Sequence, residues 1–237
     1  MAAAGSKQPP ILVAGGGIGG LSAALALARR GFRVRVLEQA RQFREVGAGI
    51  QLGPNVFRAL AALGLRERVL ADAWRPEAQE MRCGLTGRQI TRVPLGPEFL
   101  ARFGEPYGVT HRADLHGAIL AACTADERIA LETGRSVTAV VQDAGGVRVR
   151  LSDGGVAEGA ALIGCDGLWS TLREAIVGDG APRVSGHIAY RAVLARALIT
   201  AGADLTLTDD RYRSTPLGWA EALGQDEIAS MLRASTA

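Results

Sequence analysis

The sequence has few of the residues that bind metal ions or form disulfide bonds. Only three cysteines occur, Cys83, Cys123 and Cys165, and no two of them form a CxxC pair. This spacing argues against a zinc ribbon or a disulfide framework, and we expect free thiols in a reducing, cytoplasmic compartment. The three histidines show no metal-ligand spacing. We therefore expect structural or surface roles for them and no metal site.

Lysine is almost absent. Lys7 is the only lysine in 237 residues, and arginine supplies the other 26 of the 27 Lys and Arg side chains. The net charge is +3, the arginines are scattered, and aromatic residues make up 5% of the chain. No basic stripe or aromatic platform accompanies the arginines, so we expect no nucleic-acid partner. With 48% hydrophobic and 22% charged residues, the composition is typical of a soluble globular protein.

One stretch without charge, residues 11–28, is nearly long enough to span a membrane. It contains five glycines within residues 15–20, and each glycine costs roughly 1 kcal/mol inside a helix. We therefore expect no membrane span. The only positive charge before this stretch is Lys7, so the pattern does not fit a secretory signal either.

The same stretch instead predicts a strand, a glycine turn and a helix. The apolar residues 11–14 precede Gly-Gly-Gly-Ile-Gly-Gly, and Leu21, Ala24, Leu25 and Ala28 then recur at helical spacing. Gly31 ends the helix, a second β-type run follows over 34–37, and Glu38 comes next. Strand, glycine turn, helix, strand and acid form the dinucleotide-binding fingerprint in its required context.

Each position of the fingerprint has a physical role. Gly15 permits the tight turn out of the strand, Gly17 lets the backbone approach a pyrophosphate, and Gly20 lets the helix pack close to the strand. The free N–H groups and the dipole at the helix start favour a doubly negative group. Glu38 is expected to accept hydrogen bonds from ribose hydroxyls.

Further elements follow along the chain. Residues 39–53 are predicted to form a glycine-containing loop that runs close to a ligand, and Asn55 is predicted to cap a helix. Residues 78–110 predict a small inserted sheet. Arg112 is expected just before a helix whose apolar face includes Leu115 and Ile119, where a bound anion such as a cofactor phosphate would offset its unfavourable interaction with the helix dipole.

Residues 128–164 predict β structure, with a hairpin that joins 137–141 to 147–151. A short apolar strand over 160–164 leads into Cys165-Asp166-Gly167, and a helix with Leu168 and Leu172 on its apolar face is expected to follow. A strand, an Asp-Gly turn and a helix can again meet a phosphate or a ribityl chain, although Asp-Gly alone is typical of a simple turn.

Together these motifs resemble the N-terminal half of the flavin-dependent aromatic hydroxylases, in particular salicylate hydroxylases and 3-hydroxybenzoate 6-hydroxylases. The resemblance runs from about Ile11 to Leu194. It rests on the ordered segments GGGIGGLSAALALARRG with Glu38, GAGIQLGPN, THRADLH and ALIGCDGLWSTLRE.

The resemblance implies FAD as the cofactor and NAD(P)H as the reductant. It implies hydroxylation of a small aromatic substrate, a phenolic acid, through a flavin C4a-hydroperoxide. It also implies that Arg112 contacts the flavin side of FAD, that the backbone near Ala48 and Val137 touches FAD, and that Asp166 serves both FAD and NAD(P)H. The cofactor-binding residues expected from the fingerprint and the resemblance are Gly15, Gly17, Ile18, Gly20, Glu38, Gln39, Ala48, Arg112, Val137 and Asp166.

The sequence departs from this family after residue 193. The second sheet that covers the substrate and the GDAAH-type motif are not found, so no catalytic residue is predicted and we expect about half of the enzyme to be absent. Residues 194–237 instead resemble an ankyrin repeat through AGAD (201–204) and STPLGWA (214–220). The alternative for this segment is a plain helical hairpin. A lone repeat is expected to dock on the flavin domain or on a partner protein, because stable arrays need at least three repeats.

The predicted fold class is α/β. A three-layer, Rossmann-type FAD-binding domain of the glutathione-reductase kind is expected over residues 1–193, followed by a small α-helical ankyrin-like tail over 194–237. Three functions stay open: an FAD-dependent aromatic monooxygenase, a catalytically inactive flavoprotein–ankyrin fusion that acts as an interaction protein, and another flavoprotein of the two-dinucleotide superfamily. The last is disfavoured because no second GxGxxG occurs.

Substitution of Gly17 by Val tests the phosphate-binding role of the glycine turn. We expect Gly17→Val to abolish FAD binding, because the side chain would occupy the space through which the pyrophosphate approaches. A fluorescence titration with FAD measures the effect, and full retention of affinity would remove Gly17 from the phosphate site.

Overall fold

The computed structural model describes residues 9–44 and 49–183, together with Thr215 and Arg233. The chain divides into two units, Met1–Ile188 and Ala189–Ala237, and the fold below belongs to the first. Apart from Thr215 and Arg233, the predicted ankyrin-like segment, 194–237, lies outside the described residues. Its structure and the boundary at residue 193 therefore stay predictions.

The described part of the chain alternates strands and helices in its first third and is mainly β after residue 128. The elements in chain order are β1 Ile11–Ala14, α1 Ile18–Ala28, β2 Val34–Leu37, β3 Gly49–Leu52, α2 Pro54–Ala62, α3 Arg66–Asp72, β4 Ala78–Arg82, β5 Gln89–Pro94, α4 Pro97–Phe103, β6 Gly108–His111, α5 Arg112–Thr124, β7 Ile129–Glu132, β8 Val137–Asp143, β9 Gly146–Leu151, β10 Val156–Gly159, β11 Ala161–Gly164 and α6 Thr171–Val177.

A parallel four-stranded sheet forms the centre, with strand order β11-β1-β2-β7. β1 pairs with β2 on one side, where Ile11 is opposite Val34, and with β11 on the other, where Ile11 is opposite Ala161. Because the strands are parallel, their carboxyl ends meet at one edge of the sheet. Ligands of open α/β sheets bind outside this edge, where connections diverge to opposite sides of a strand.

Two buried clusters lie on opposite faces of the sheet, because successive side chains of a strand point to opposite faces. Val13 and Val36 pack into a cluster with α1, α2, α3 and α5. Leu12 and Leu37 pack into a second cluster with β8, β9 and β10, which form an antiparallel three-stranded sheet. Helices, parallel sheet and antiparallel sheet give the expected three layers.

The glycine turn allows α1 to lie directly against the sheet. Gly15 has a φ of +100°, a conformation that side chains rarely adopt. A Cβ at Gly15 would overlap the carbonyl of Cys165, and a Cβ at Gly20 would overlap the carbonyl of Gly15. Both glycines are therefore required by close backbone packing, as the fingerprint predicts for the turn and for the helix contact.

The predicted inserted sheet over residues 78–110 is only partly correct. β4 and β5 do form a two-stranded antiparallel sheet, but α4 follows, and β6 pairs with β3 instead. The loop predicted for 39–53 therefore ends in a strand. The predicted hairpin over 137–151 is confirmed as β8 and β9, which pair antiparallel.

Three local predictions at helix ends were wrong. Asn55 does not cap α2, because the helix begins at Pro54 and Gly53 is the N-cap residue. Arg112 is the first residue of α5 instead of preceding it. Leu168 is not part of α6, which begins at Thr171, and its side chain is exposed. In each case the apolar spacing located the helix, but local turn geometry set its first residue.

The longest helix in the described part of the chain is α5, and none of these helices is both long and apolar enough to cross a membrane. α1 covers only 11 residues of the uncharged stretch, since β1 and the glycine turn occupy the rest.

Alanine substitution at two neighbouring glycines tests the packing of α1. A Cβ at Gly19 meets no atom, whereas one at Gly20 overlaps Gly15. Alanine is favoured over glycine in helices by about 1 kcal/mol, so Gly19→Ala should leave the free energy of unfolding unchanged or slightly raised. Gly20→Ala should lower it by about 1–3 kcal/mol through overpacking. Urea unfolding of the two cofactor-free proteins measures the difference, and equal stabilities would contradict the close contact.

Candidate functional site

A cavity of about 450 Å³ opens at the carboxyl edge of the parallel sheet. Its walls come from the turn after β1, the residues after β2, the start of α5, the segment between β7 and β8, and the turn after β11. A volume of this size is typical of small-molecule and cofactor sites. Its position agrees with the general placement of ligands in α/β folds.

Most of the residues predicted to bind the cofactor line this cavity. Those lining it are Gly15, Gly17, Ile18, Glu38, Gln39, Arg112, Val137 and Asp166. Gly20 does not line the cavity, because it is a buried residue of α1 that packs against the carbonyl of Gly15. Ala48 lies outside the described residues. The structure thus brings together residues from five separate parts of the sequence.

The glycine turn is held by hydrogen bonds to its neighbours. The N–H of Gly15 donates to the carbonyl of Leu37 at 2.8 Å, and the N–H of Gly16 donates to Glu38 Oε2 at 2.5 Å. Glu38 Oε1 accepts the N–H of Ala40 at 2.8 Å. Glu38 therefore organises the turn and the loop after β2, a role that the sequence did not predict, and its oxygens keep further lone pairs for a ligand.

The start of α1 supplies donors for an anion. Its N-cap residue is Gly17, which has an extended backbone and no side chain to cap the helix. The first N–H groups of a helix have no partner within the helix, and the helix dipole adds positive potential there. Gly17, Ile18 and Gly19 all line the cavity, and the space beside Gly19 is open. This arrangement fits a phosphate or pyrophosphate group.

Asp166 is fixed by the helix that follows it. Its Oδ1 accepts the hydroxyl of Ser170 at 2.6 Å, and its Oδ2 accepts the N–H of Leu172 at 3.2 Å. Ser170 in turn caps α6 by accepting the N–H of Arg173 at 2.8 Å. The Asp-Gly turn is therefore a rigid part of the cavity wall, because its carboxylate is tied to the start of α6.

Two arginines line the cavity together with the carboxylates of Glu38 and Asp166. Arg112 was expected there, whereas Arg135, in the segment between β7 and β8, was not. Arg135 forms ion pairs with Asp153 and with Glu132, the latter at 3.8 Å. The signal that could have indicated Arg135 is its position after Gly134, at the end of a β-type run whose carboxyl end meets the same edge.

The residues after β11 add a thiol and an exposed aromatic ring. Burial, and secondarily the charge of Asp166, raises the pKa of Cys165, so this thiol stays protonated at neutral pH and is a poor nucleophile. Trp169 lines the cavity and is 77% exposed. Among the described residues, no group of three or more His, Cys, Asp or Glu side chains could hold a metal ion.

The comparisons with known proteins agree with this geometry. The family model described as FAD binding domain matches residues 8–201. The 3-hydroxybenzoate 6-hydroxylase of Polaromonas naphthalenivorans is 48% identical over 78% of this chain and 46% of its own length. The 6-hydroxynicotinate 3-monooxygenase of Bordetella bronchiseptica is 37% identical over 78% of this chain and 48% of its own length. The chain thus spans about half the length of these curated relatives.

The fold of this chain also matches the solved structure of a related protein over less than half of that protein's length. The structure of Klebsiella pneumoniae HpxO complexed with FAD and uric acid matches with a TM-score of 0.62 and 32% identity. The match covers 72% of this chain and 42% of HpxO. The match of residues 8–201 to the FAD binding domain family confirms the predicted cofactor, FAD.

A pair of arginine substitutions tests the charge of the cavity. Arg112 lines the cavity, whereas Arg148 lies on β9 and pairs with Glu158 on the protein surface. Arg112→Ala should weaken FAD binding roughly tenfold to a hundredfold, because a hydrogen bond to a charged group contributes about 1.5–3 kcal/mol. Arg148→Ala is the matched control and should leave the affinity unchanged. Equal effects in a calorimetric FAD titration would exclude Arg112 from the site.

Proposed function

The chain belongs to the FAD binding domain family, and from this premise we propose that it is the FAD-binding part of an aromatic hydroxylase, an NAD(P)H-dependent monooxygenase that acts on a phenolic acid. The observation that carries the proposal is the cavity at the sheet edge. It gathers an uncapped helix start, a carboxylate after the second strand and an arginine on a third segment. A dinucleotide has a partner for the first two features, because its pyrophosphate binds a helix start and its ribose binds a carboxylate, and the arginine adds positive potential for an anionic ligand.

In this proposal each wall of the cavity binds one part of FAD. The N–H groups from Gly17 onward bind the pyrophosphate, and Glu38, with Gln39 beside it, binds the adenosine ribose. Arg112 and Asp166 lie on the flavin side. The backbone near Val137 and the predicted contact at Ala48 complete the set of proposed cofactor residues.

In the cavity lined by these residues, FAD would supply the oxygen-activating chemistry of aromatic hydroxylation, with NAD(P)H as the proposed reductant. The contribution of the chain is to bind and orient the cofactor. Asp166, held by Ser170 and Leu172, keeps the Asp-Gly turn rigid where the flavin side is proposed to lie. No described residue is assigned as an acid or base of the reaction.

The substrate class is proposed from the names of the relatives. One relative is named for 3-hydroxybenzoate, another for 6-hydroxynicotinate and a third for 3-amino-4-hydroxybenzoate. All three compounds are aromatic carboxylates with a ring hydroxyl. A hydroxylated aromatic carboxylate is therefore the substrate that the proposal favours.

Purified protein should show flavin absorbance, or gain it when titrated with FAD, with one FAD per chain released on denaturation. Gly17→Val is the matched control and should remain colourless. A colourless wild-type protein at saturating FAD would contradict the proposal.

Activity is then measured on the loaded protein with NADH or NADPH and 3-hydroxybenzoate. A product that is heavier by one oxygen atom supports the hydroxylase assignment. Bound flavin without any such product would restrict the function of this chain to cofactor binding.

A further inference from the structure

A buried histidine from a distant part of the chain contacts the glycine turn. His116 lies on α5, is 4% exposed, and places its Nε2 2.9 Å from the carbonyl oxygen of Gly16, 100 residues earlier in the sequence. We propose that His116 is a positioning residue of the FAD site, which orients the peptide between Gly16 and Gly17 so that the Gly17 N–H faces the pyrophosphate. This proposal rests on the assignment of FAD to the cavity.

The contact defines which ring nitrogen carries the proton. A carbonyl oxygen only accepts hydrogen bonds, so Nε2 must donate and must therefore be protonated. The histidine thus acts as a fixed N–H donor in the interior. Since burial of an unpaired polar group is unfavourable, the ring is expected to keep this partner in the folded protein.

The geometry of the peptide bond links this hydrogen bond to the cavity. The carbonyl of Gly16 and the N–H of Gly17 belong to one peptide group, which is planar and trans, so the two bonds point in opposite directions. His116 draws the carbonyl toward the core formed by α1 and α5. The Gly17 N–H must then point away from that core. Gly17 lines the cavity and Gly16 does not, in agreement with this orientation.

The preceding peptide is held separately. The N–H of Gly16, which belongs to the peptide between Gly15 and Gly16, donates to Glu38 Oε2. Two consecutive peptide groups of the turn are therefore fixed by two side chains, one that follows β2 and one on α5. Glycine has the widest backbone freedom of any residue, so such external restraints are what keep this turn in one conformation before the ligand binds.

Three variants separate positioning from packing. His116→Leu keeps an apolar side chain of similar size but removes the donor. His116→Gln keeps an N–H donor at about the reach of Nε2. Cys123→Ala is the matched control, because Cys123 is also buried on α5 and its thiol donates to the carbonyl of Leu21 in α1, away from the turn.

FAD affinity is measured by fluorescence titration, and the stability of each cofactor-free protein by urea unfolding. We expect His116→Leu to weaken FAD binding about tenfold or more, as one oriented hydrogen bond contributes about 1.5 kcal/mol. His116→Gln should restore the affinity to within about threefold of the wild-type protein. Cys123→Ala should lower stability without changing the affinity.

The residual dipolar coupling of the Gly17 N–H bond in the cofactor-free protein reports the orientation of that bond, independently of the loss of the aromatic ring. It should change in His116→Leu, return toward the wild-type value in His116→Gln, and stay the same in Cys123→Ala. Wild-type FAD affinity in a folded His116→Leu protein, or an unchanged Gly17 coupling, would overturn the proposal. Absence of FAD binding by the wild-type protein would instead contradict the cofactor assignment, and the Gly17 coupling would still decide whether His116 orients the turn.

Discussion

The close approach of three parallel strands at one edge is the constraint on which the rest of this structure depends. β1 runs between β2 and β11, so the residues that follow all three strands emerge side by side. The turn after β1 passes the carbonyl of Cys165 so closely that a Cβ at Gly15 would overlap it. The fold therefore requires glycine where the ligand requires an accessible backbone, and both requirements fall on one turn.

The same helix that completes the core also reaches the site. α5 packs against α1 with Leu115 and Ile119 in the cluster beneath the sheet. Arg112 and His116 are four residues apart and hence lie on one face of this helix, where Arg112 lines the cavity and His116 contacts the glycine turn. Displacement of α5 would therefore change the cavity and the core together, which couples stability to cofactor binding.

The sequence predicted the parts of the fold that depend on local patterns. Apolar spacing located α1 and α5, and the β8–β9 hairpin followed from alternation around Gly145-Gly146. Predictions failed where neighbouring residues could each occupy the same position at the start of a helix. Asn55 was expected to cap α2, but Gly53 occupies that position and Pro54 is the first helical residue. The pairing of β3 with β6 joins segments nearly sixty residues apart, and no local pattern specifies such a partner.

The sequence by itself determined the cofactor class and most of the cavity lining, because a phosphate-binding turn needs glycines at fixed spacing and an acid after the next strand. Those requirements are local and can be read without coordinates. Only the tertiary structure decided the contacts that other segments of the chain make at the cavity. Arg135 lines the cavity, the carboxylate of Asp166 is hydrogen-bonded at the start of α6, and the ring of His116 contacts the carbonyl of Gly16. From the sequence, His116 is predicted to have only a structural or surface role. The packing of α5 against the glycine turn is what brings its ring to the carbonyl of Gly16.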